Sequence, residues 1–240
     1  MKVIQTLISA IPKFSQFSMR FHYNFSNWLP FYWAGYKQTT RYTYLIKNLT
    51  DLNNVYKGFS YEKRADIRKA EQLVKIYEDL SPEEFYANHK FMLRKQGQPI
   101  SYSYHLFKRI YEAAITHSAG KIWCAKDENW NIHAAIFVIY DSKSAYYLIN
   151  AIDRDFPHNN ASALLIKEAI KHVSKYTQRF DFEGSMIQGV EKSNRFFGGI
   201  QTPYFSISKD NRSVLLKMID ELRTGLGNML DRFGDRKRPS

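Results

Sequence analysis

The spacing of hydrophobic residues changes along the chain from a helical to a strand-like period. Leu106, Ile110 and Ala114 recur four residues apart, which is the spacing of one helix face. From residue 121 onward, runs rich in β-branched and aromatic residues take over, and two of them, within 134–152, are joined at Asp141–Ser144. Helices therefore precede an antiparallel meander, and a further helix lies before the last strands. This order predicts an α+β fold.

One helix start can be read from three local residues. Ser81 suits the N-cap, Pro82 the first helical position, and Glu84 the place that completes a capping box. The pattern predicts a helix from Pro82 to about Lys95 that stops at Gly97.

The stretch 134–209 is the part of the chain around which the rest is arranged. After the two strands come a polar loop at 154–160, an amphipathic helix at 161–178 and a short strand at 179–185. A final strand is expected at 202–209. The order strand, loop, helix, strand suits a phosphate-bearing ligand, because N–H groups and the positive helix end collect at one place.

Composition supports a packed core and an anionic partner. Hydrophobic residues make up 44% of the 240 residues and aromatic residues 16%, which excludes global disorder. The formal net charge of +12 is typical of a protein that meets nucleic acid, a phosphorylated cofactor or a membrane surface. A basic but inert surface explains the charge equally well, because Lys and Arg are spread along the chain and the longest basic run is Arg236–Arg238.

Cysteine and histidine exclude several kinds of site. The single cysteine, Cys124, excludes an intramolecular disulfide, fits a reducing compartment, and is expected to be a buried, inert thiol. The seven histidines lack metal-ligand spacing, so no metal site is predicted. The apolar patch at the N-terminus is cut by Pro12 and is too short for a membrane span or a signal peptide, which predicts a cytoplasmic protein.

Several strings, in this order and spacing, resemble the Fem-type branch of the GNAT acyltransferase superfamily, the peptidoglycan-bridge aminoacyltransferases of bacteria and their relatives. The resemblance covers about residues 25–209. It implies a mixed, mostly antiparallel sheet flanked by helices. The strings that carry it are Asn27–Ile46, Glu62–Ala70, Ala163–Val173, Arg179–Lys192 and Phe196–Phe205.

Family members commonly pair two GNAT-like subdomains, and this chain resembles one of them in full. By that resemblance residues 1–40 are the tail of an incomplete upstream subdomain, 41–209 the GNAT-like domain, and 210–240 a C-terminal helix with a frayed basic tail. The densely aromatic segment Phe14–Tyr36 must pack against something. Either it closes over the main domain or a partner covers it, which makes a homodimer through this segment one expectation.

In GNAT folds the pyrophosphate of acyl-CoA rests on backbone N–H groups at the start of a helix after a central strand. The resemblance places this cofactor site at Asn159, Asn160, Ala161 and Ser162, where a polar loop replaces the usual glycine-rich one. The alternative is purely structural: Asn160 or Ser162 caps the helix.

Asp181 and Glu183 are the candidate catalytic carboxylates. Strand alternation predicts both on one face, where one of them can deprotonate an amine nucleophile. Glu183 is favoured because it adjoins Gly184, where a ligand can come close. The alternative is a structural pair that binds backbone N–H groups or an arginine.

Four further positions are candidate substrate contacts, and one of them departs from the family. Asn194 stands where the resemblance implies a general acid or a substrate-holding lysine, and an amide cannot donate a proton in that way. Tyr147 and Tyr204 are candidate substitutes. Arg64 and Arg68, four apart with Lys63 and Lys69 beside them, form a basic helix face for a phosphate or a nucleic-acid backbone, or else a solvated face.

Two functions from different classes follow. The first is an N-acyl or aminoacyl transferase that takes an acyl group from acyl-CoA or aminoacyl-tRNA to an amine acceptor, in cell-wall or envelope metabolism by resemblance. The second is a catalytically degenerate binding module that uses the aromatic segment. Association with tRNA, or peripherally with a membrane, through net charge is compatible with the first.

Overall fold

Eight strands form one mixed sheet flanked by helices in the computed structural model, which describes residues 2–156, 160–184, 186–213 and 216. The strands are β1 (Gln16–Arg20), β2 (Lys37–Ile46), β3 (Lys75–Tyr77), β4 (Gly120–Lys126), β5 (Ile132–Tyr140), β6 (Ser144–Ile152), β7 (Arg179–Asp181) and β8 (Ile200–Asp210). The helices are α1 (Lys2–Ala10), α2 (Leu29–Trp33), α3 (Leu52–Lys57), α4 (Tyr61–Leu73), α5 (Pro82–Lys95), α6 (Tyr104–Thr116), α7 (Ala161–Val173) and α8 (Gln188–Phe196).

The strand order is β1-β8-β2-β7-β6-β5-β4-β3. Strands β3 to β6 form the expected antiparallel meander. The pair β6 and β7 is parallel, and α7 makes the crossover that such a pair requires. The predicted α+β fold with a mostly antiparallel sheet is confirmed.

The helix start predicted at Ser81 is present in full. The Ser81 hydroxyl accepts a hydrogen bond from the Glu84 N–H at 3.2 Å, and the Ser81 N–H donates to the Glu84 carboxylate at 2.8 Å. Helix α5 runs from Pro82 to Lys95, and Gly97 follows with φ of +69°. These local signals were sufficient to predict both ends of the helix.

The chain divides into two compact units. The larger unit, Tyr42–Pro203, has a hydrophobic cluster on each face of its strands. Along β5, Ile136 and Val138 belong to the cluster with α4 and α7, whereas Phe137 belongs to the cluster with α5 and α6. Helices therefore cover both faces of these strands.

The smaller unit comprises 1–41 and 204–240, and within it β1 pairs antiparallel with Ser206–Asp210 of β8. The aromatic segment packs largely within this unit, around the buried Phe31, Tyr36 and Ile207. Its exposed apolar side chains include Tyr32 and Trp33. The interpretation of 1–40 as the tail of an upstream subdomain stays a prediction, and the helix expected after residue 210 lies outside the described residues.

Every helix within the described ranges is too short or too polar to cross a lipid bilayer.

Candidate functional site

Strands β6 and β7 run together for a short distance and then part. Residues Ser144–Tyr146 of β6 pair with Arg179–Asp181 of β7, and β6 then continues to Ile152 beyond the end of β7. After Asp181 the chain stays with β2, where the Phe182 N–H donates to the Tyr44 carbonyl at 3.0 Å. A split between two parallel strands therefore opens towards the loop that precedes α7.

A β-bulge lies at this split. Against β5, Tyr147 pairs with Val138 and Ile149 with Phe137, so Leu148 is the extra residue. A bulge bends and twists the strand that carries it, which turns β6 away from β7. It also shifts the side-chain alternation by one residue, so that Tyr147 and Asn150 reach the same side of the sheet.

Ser162 of α7 joins these two side chains. Its hydroxyl donates to the Asn150 amide oxygen at 3.3 Å and lies 3.3 Å from the Tyr147 hydroxyl, which must then be the donor to it. Burial holds the pKa of Tyr147 well above its usual value, so this hydroxyl is protonated at neutral pH. The predicted contacts Tyr147 and Ser162 therefore meet at one place.

Asn160 does not cap α7. It occupies the N-cap position with φ of +50°, makes no side-chain cap, and donates its amide to Asp66 of α4 at 2.7 Å. The Ser162 hydroxyl bonds to side chains of β6 and not to the helix amides. The interpretation of Asn160 or Ser162 as the helix cap is therefore wrong. The physical reason is that a left-handed Asn160 turns its amide towards α4 and away from the helix amides. Asn159 lies outside the described residues.

Lys63 faces the same region from α4. Its ammonium lies 3.8 Å from Asp66 and 5.0 Å from the centre of the Phe197 ring, which stacks on Phe182 at the end of β7. Burial lowers the pKa of Lys63, and Asp66 opposes that shift. In the sequence Lys63 is one basic residue among several, and only its i,i+3 spacing to Asp66 hints at the pair.

The two arginines of the expected basic face are placed elsewhere. The Arg64 guanidinium donates to the carbonyl of Lys57 at 3.1 Å and to that of Phe59, so it holds the chain between α3 and α4. Arg68 is exposed. Their role as ligand contacts stays a prediction, whereas Lys63 is the cation of α4 that lies beside Asp66 and Phe197.

The strand alternation expected for the two carboxylates is wrong, because β7 ends at Asp181. Asp181 is buried and accepts hydrogen bonds from the Thr43 hydroxyl and, at 2.9 Å, from the Glu183 N–H. Glu183 has φ of +60° and is exposed, just beyond the point where β7 ends. Asp181 therefore shapes the turn that presents Glu183.

Asn194 is buried on α8, only 5% exposed, and its amide nitrogen has no hydrogen-bond partner among the described residues. The backbone carbonyl of Asn194 accepts a hydrogen bond from the Gly199 N–H at 3.1 Å, and a Cβ on Gly199 would lie 2.7 Å from that backbone oxygen. Glycine is required there by close packing. Tyr204 lies on β8 in the smaller unit, and its role stays a prediction.

A buried tyrosine that the sequence did not single out lies near Gly199. The Tyr44 hydroxyl donates to Glu191 at 2.8 Å and accepts from the Gln201 amide at 2.8 Å. Burial, and then the hydrogen bond to Glu191, raise the pKa of Tyr44. These bonds tie β2 to α8 and support the turn that carries Gly199.

The surroundings of Cys124 and of the potential metal ligands can be stated for the part of the chain that the structure describes. Cys124 is buried, and burial raises its pKa to about 12, so its thiol is protonated at neutral pH. The described residues bring together no group of three or more potential metal ligands.

Comparison with known proteins gives structural matches alone, since no family model and no curated protein matches the sequence. The crystal structure of FemX superposes with a TM-score of 0.58 at 11% identity, over 74% of this chain and 67% of FemX. This chain has the fold of FemX.

Two further structures agree with that assignment. The C-terminal domain of a putative lysylphosphatidylglycerol synthetase from Agrobacterium fabrum has a TM-score of 0.54 at 12% identity, over 81% of this chain and 68% of its own. The structure of L-PGS from Bacillus licheniformis has 0.53 at 13%, over 80% and 67%. The chain therefore spans about two thirds of the length of these proteins. Structural matches at identities this low establish the fold alone.

Proposed function

We propose that this chain is an N-acyl or aminoacyl transferase that moves an acyl group from acyl-CoA or aminoacyl-tRNA to an amine. The observation that carries the proposal is the split between β6 and β7 with the start of α7 at its open end. In this arrangement a donor lies between the strands while its phosphates meet the helix terminus.

The donor is held at the start of α7. The positive end of the helix dipole and the backbone at Asn160, Ala161 and Ser162 favour phosphate oxygens, and we include Asn159, which precedes them in the sequence, in this proposal. Lys63 supports the same assignment, because a partly desolvated ammonium interacts more strongly with an anion than an exposed one does.

The acceptor amine enters beside Glu183. The amine nitrogen attacks the acyl carbon, a C–N bond forms, and the bond to the CoA sulfur or to the tRNA oxygen breaks. Glu183 accepts the amine proton as general base, and the leaving group takes a proton from a tyrosine hydroxyl. Tyr147 is our choice for this donor, and Asn194 is a proposed contact to a substrate. Asp181 holds the turn at Glu183.

The likeness to FemX supports a proposal for the acceptor class. We propose an amine of a cell-envelope precursor, in a cytoplasmic reaction that includes peripheral contact with a membrane. The net charge of +12 supports an anionic donor, an anionic precursor, or both.

A degenerate binding module is the second candidate, and Asn194 is the observation that favours it. A buried amide at that position cannot act as an acid, and its nitrogen lacks a partner among the described residues. This candidate retains donor binding or partner binding without turnover.

Calorimetry with CoA, acetyl-CoA and charged tRNA tests the proposal. We expect one donor to bind, and Ser162→Glu to weaken that binding at least tenfold, because a carboxylate at the helix start repels phosphate. Ser142→Glu, an exposed position in the turn before β6, is the matched control and leaves binding unchanged. Absence of binding at millimolar donor rules out the transferase, and binding without acyl transfer to any amine favours the degenerate module.

A further inference from the structure

A large cavity lies at the other end of α4, beside the turn between β4 and β5. Its volume is about 930 Å³, within the range of small-molecule sites. Two pairs of aromatic rings are among the residues that line it: Tyr77 with Trp130, and the stacked His133 and Phe156. Planar rings with apolar faces are the surfaces on which nucleobases stack.

Trp130 is an exposed ring that is held in place. It is 64% exposed, yet its ring lies 5.3 Å from that of Tyr77, and the Lys126 ammonium lies 5.1 Å from the Tyr77 ring and 5.3 Å from the Trp130 ring. Lys126 is itself buried and bound to both carboxylate oxygens of Asp79 at 2.7 and 2.8 Å. The ring is therefore fixed on its inner side and accessible on the other.

The backbone of Trp130 is strained, with φ of +64°, which bulky residues rarely adopt. The Asp127 carboxylate imposes this turn: it accepts the N–H groups of Asn129 and Asn131, each at 2.9 Å, and a bond from His133 at 2.9 Å. These bonds hold the turn so that an exposed indole lies at the cavity.

The carboxylates of the cavity do not make it a site for a cation, because three of them already have basic or imidazole partners. Glu71 is paired with Lys167 at 2.7 Å, Asp127 with His133, and Asp155 with Lys95. A neutral planar ring fits these surroundings better than an amine does.

The cavity is also at the right distance from the proposed phosphate site. Asp66 holds Asn160 at one point of α4, and Glu71 lines the cavity about 7–8 Å further along the same helix. A ribose between phosphate and base spans a similar length. We infer that this cavity binds the adenine of the donor by stacking on Trp130 while the donor phosphates lie at the start of α7, an inference that rests on the proposed function.

Adenine is common to both donor classes, since CoA carries an adenosine and tRNA ends in one. The test therefore measures the affinity for AMP, for CoA and 4′-phosphopantetheine, and for an acceptor-stem RNA hairpin ending in CCA or in CC. It compares Trp130→Ala with Tyr176→Ala, an aromatic residue beyond the C-terminal end of α7 that is 53% exposed. Trp130→Phe keeps a ring and shows whether stacking alone matters.

We expect Trp130→Ala to weaken ligands that carry the terminal adenine roughly 5- to 150-fold and to leave 4′-phosphopantetheine and the CC hairpin unchanged. Tyr176→Ala leaves every affinity unchanged, and Trp130→Phe stays within a few-fold of wild type. If Trp130→Ala loses affinity for CoA alone, the donor is an acyl-CoA. If it loses affinity for the CCA hairpin alone, the donor is aminoacyl-tRNA.

Equal affinity of Trp130→Ala and wild type for the adenine ligands overturns the inference and leaves the proposed function standing. Equal weakening of ligands with and without adenine also overturns it. If the wild type binds neither CoA nor RNA, the transferase proposal fails, and AMP then decides the cavity separately: binding that depends on Trp130 supports the ring site, and no binding removes it.

Discussion

Helices α5 and α7 begin in opposite ways. At α5, Ser81 and Glu84 satisfy each other's N–H groups within one turn. At α7, the side chains of Asn160 and Ser162 bond to α4 and β6, and neither of these two residues caps the helix. The first helix start is stabilised by its own cap. The second is stabilised by contacts with other elements, because its polar side chains bond to those elements and not to the helix.

Packing of its buried side chains stabilises α7 without a cap from Asn160 or Ser162. Its buried residues are Ala161, Ala163, Leu164, Leu165, Ile166, Ala169, Ile170 and Val173, whereas those of α5 are Phe85, His89 and Met92. Most helical stability in proteins comes from such tertiary packing. A helix buried on this scale can leave its N-terminal end to a ligand.

The largest expected effect on stability comes from removing a buried side chain of α7. Leu165→Ala, at a fully buried position, should lower the free energy of unfolding by about 2–5 kcal/mol through lost burial and a cavity. Urea denaturation measures it, and Leu106→Ala, on the exposed side of α6, is the control. A loss below about 1 kcal/mol would mean that packing does not hold α7.

The next effect compares the two helix starts directly. Ser81→Ala removes a capping box and should cost about 1 kcal/mol. In an Asp66→Ala background, where Asn160 has already lost its hydrogen-bond partner on α4, Asn160→Gly keeps the left-handed backbone and removes no cap, so we expect a further change within about 0.5 kcal/mol in the same urea assay. Equal costs at the two positions would contradict the contrast drawn between them.

The smallest effect is a pH dependence confined to α5. Hydrogen bonds from the Ser81 N–H, and then from its hydroxyl, hold the pKa of Glu84 below its unfolded value of 4.5. The stabilisation is present above that unfolded pKa and is lost as pH falls through the lowered one.

In Glu84→Gln, the stability of α5 should therefore fall less between neutral pH and pH 3 than it does in the wild type. Amide hydrogen exchange in α5 measures this difference. Exchange in α7, which has no acidic residue in its first turn, serves as the internal control. An equal change of acid sensitivity in both helices would show that the effect is global and not a property of the cap.

The candidate site was predictable only in part. The region 159–162 and Tyr147 were singled out from the sequence, and the described members, Ser162 with Tyr147 and Asn160 with Asp66, make contacts there. Lys63 was missed as an individual residue, because its burial depends on Phe197, far along the chain. Glu183 was placed on a strand, because alternation takes no account of the turn that Asp181 closes.

The order of elements, the α+β class and the start of α5 were determined by the sequence itself, since periodicity and an i,i+3 cap depend on neighbours along the chain. The bulge at Leu148, the hydrogen bond of Asn160 to Asp66 and the approach of Lys63 to Phe197 were decided by the tertiary structure alone. Each of these depends on strand pairing or on contacts that exist once distant segments have packed, and no local pattern encodes such contacts.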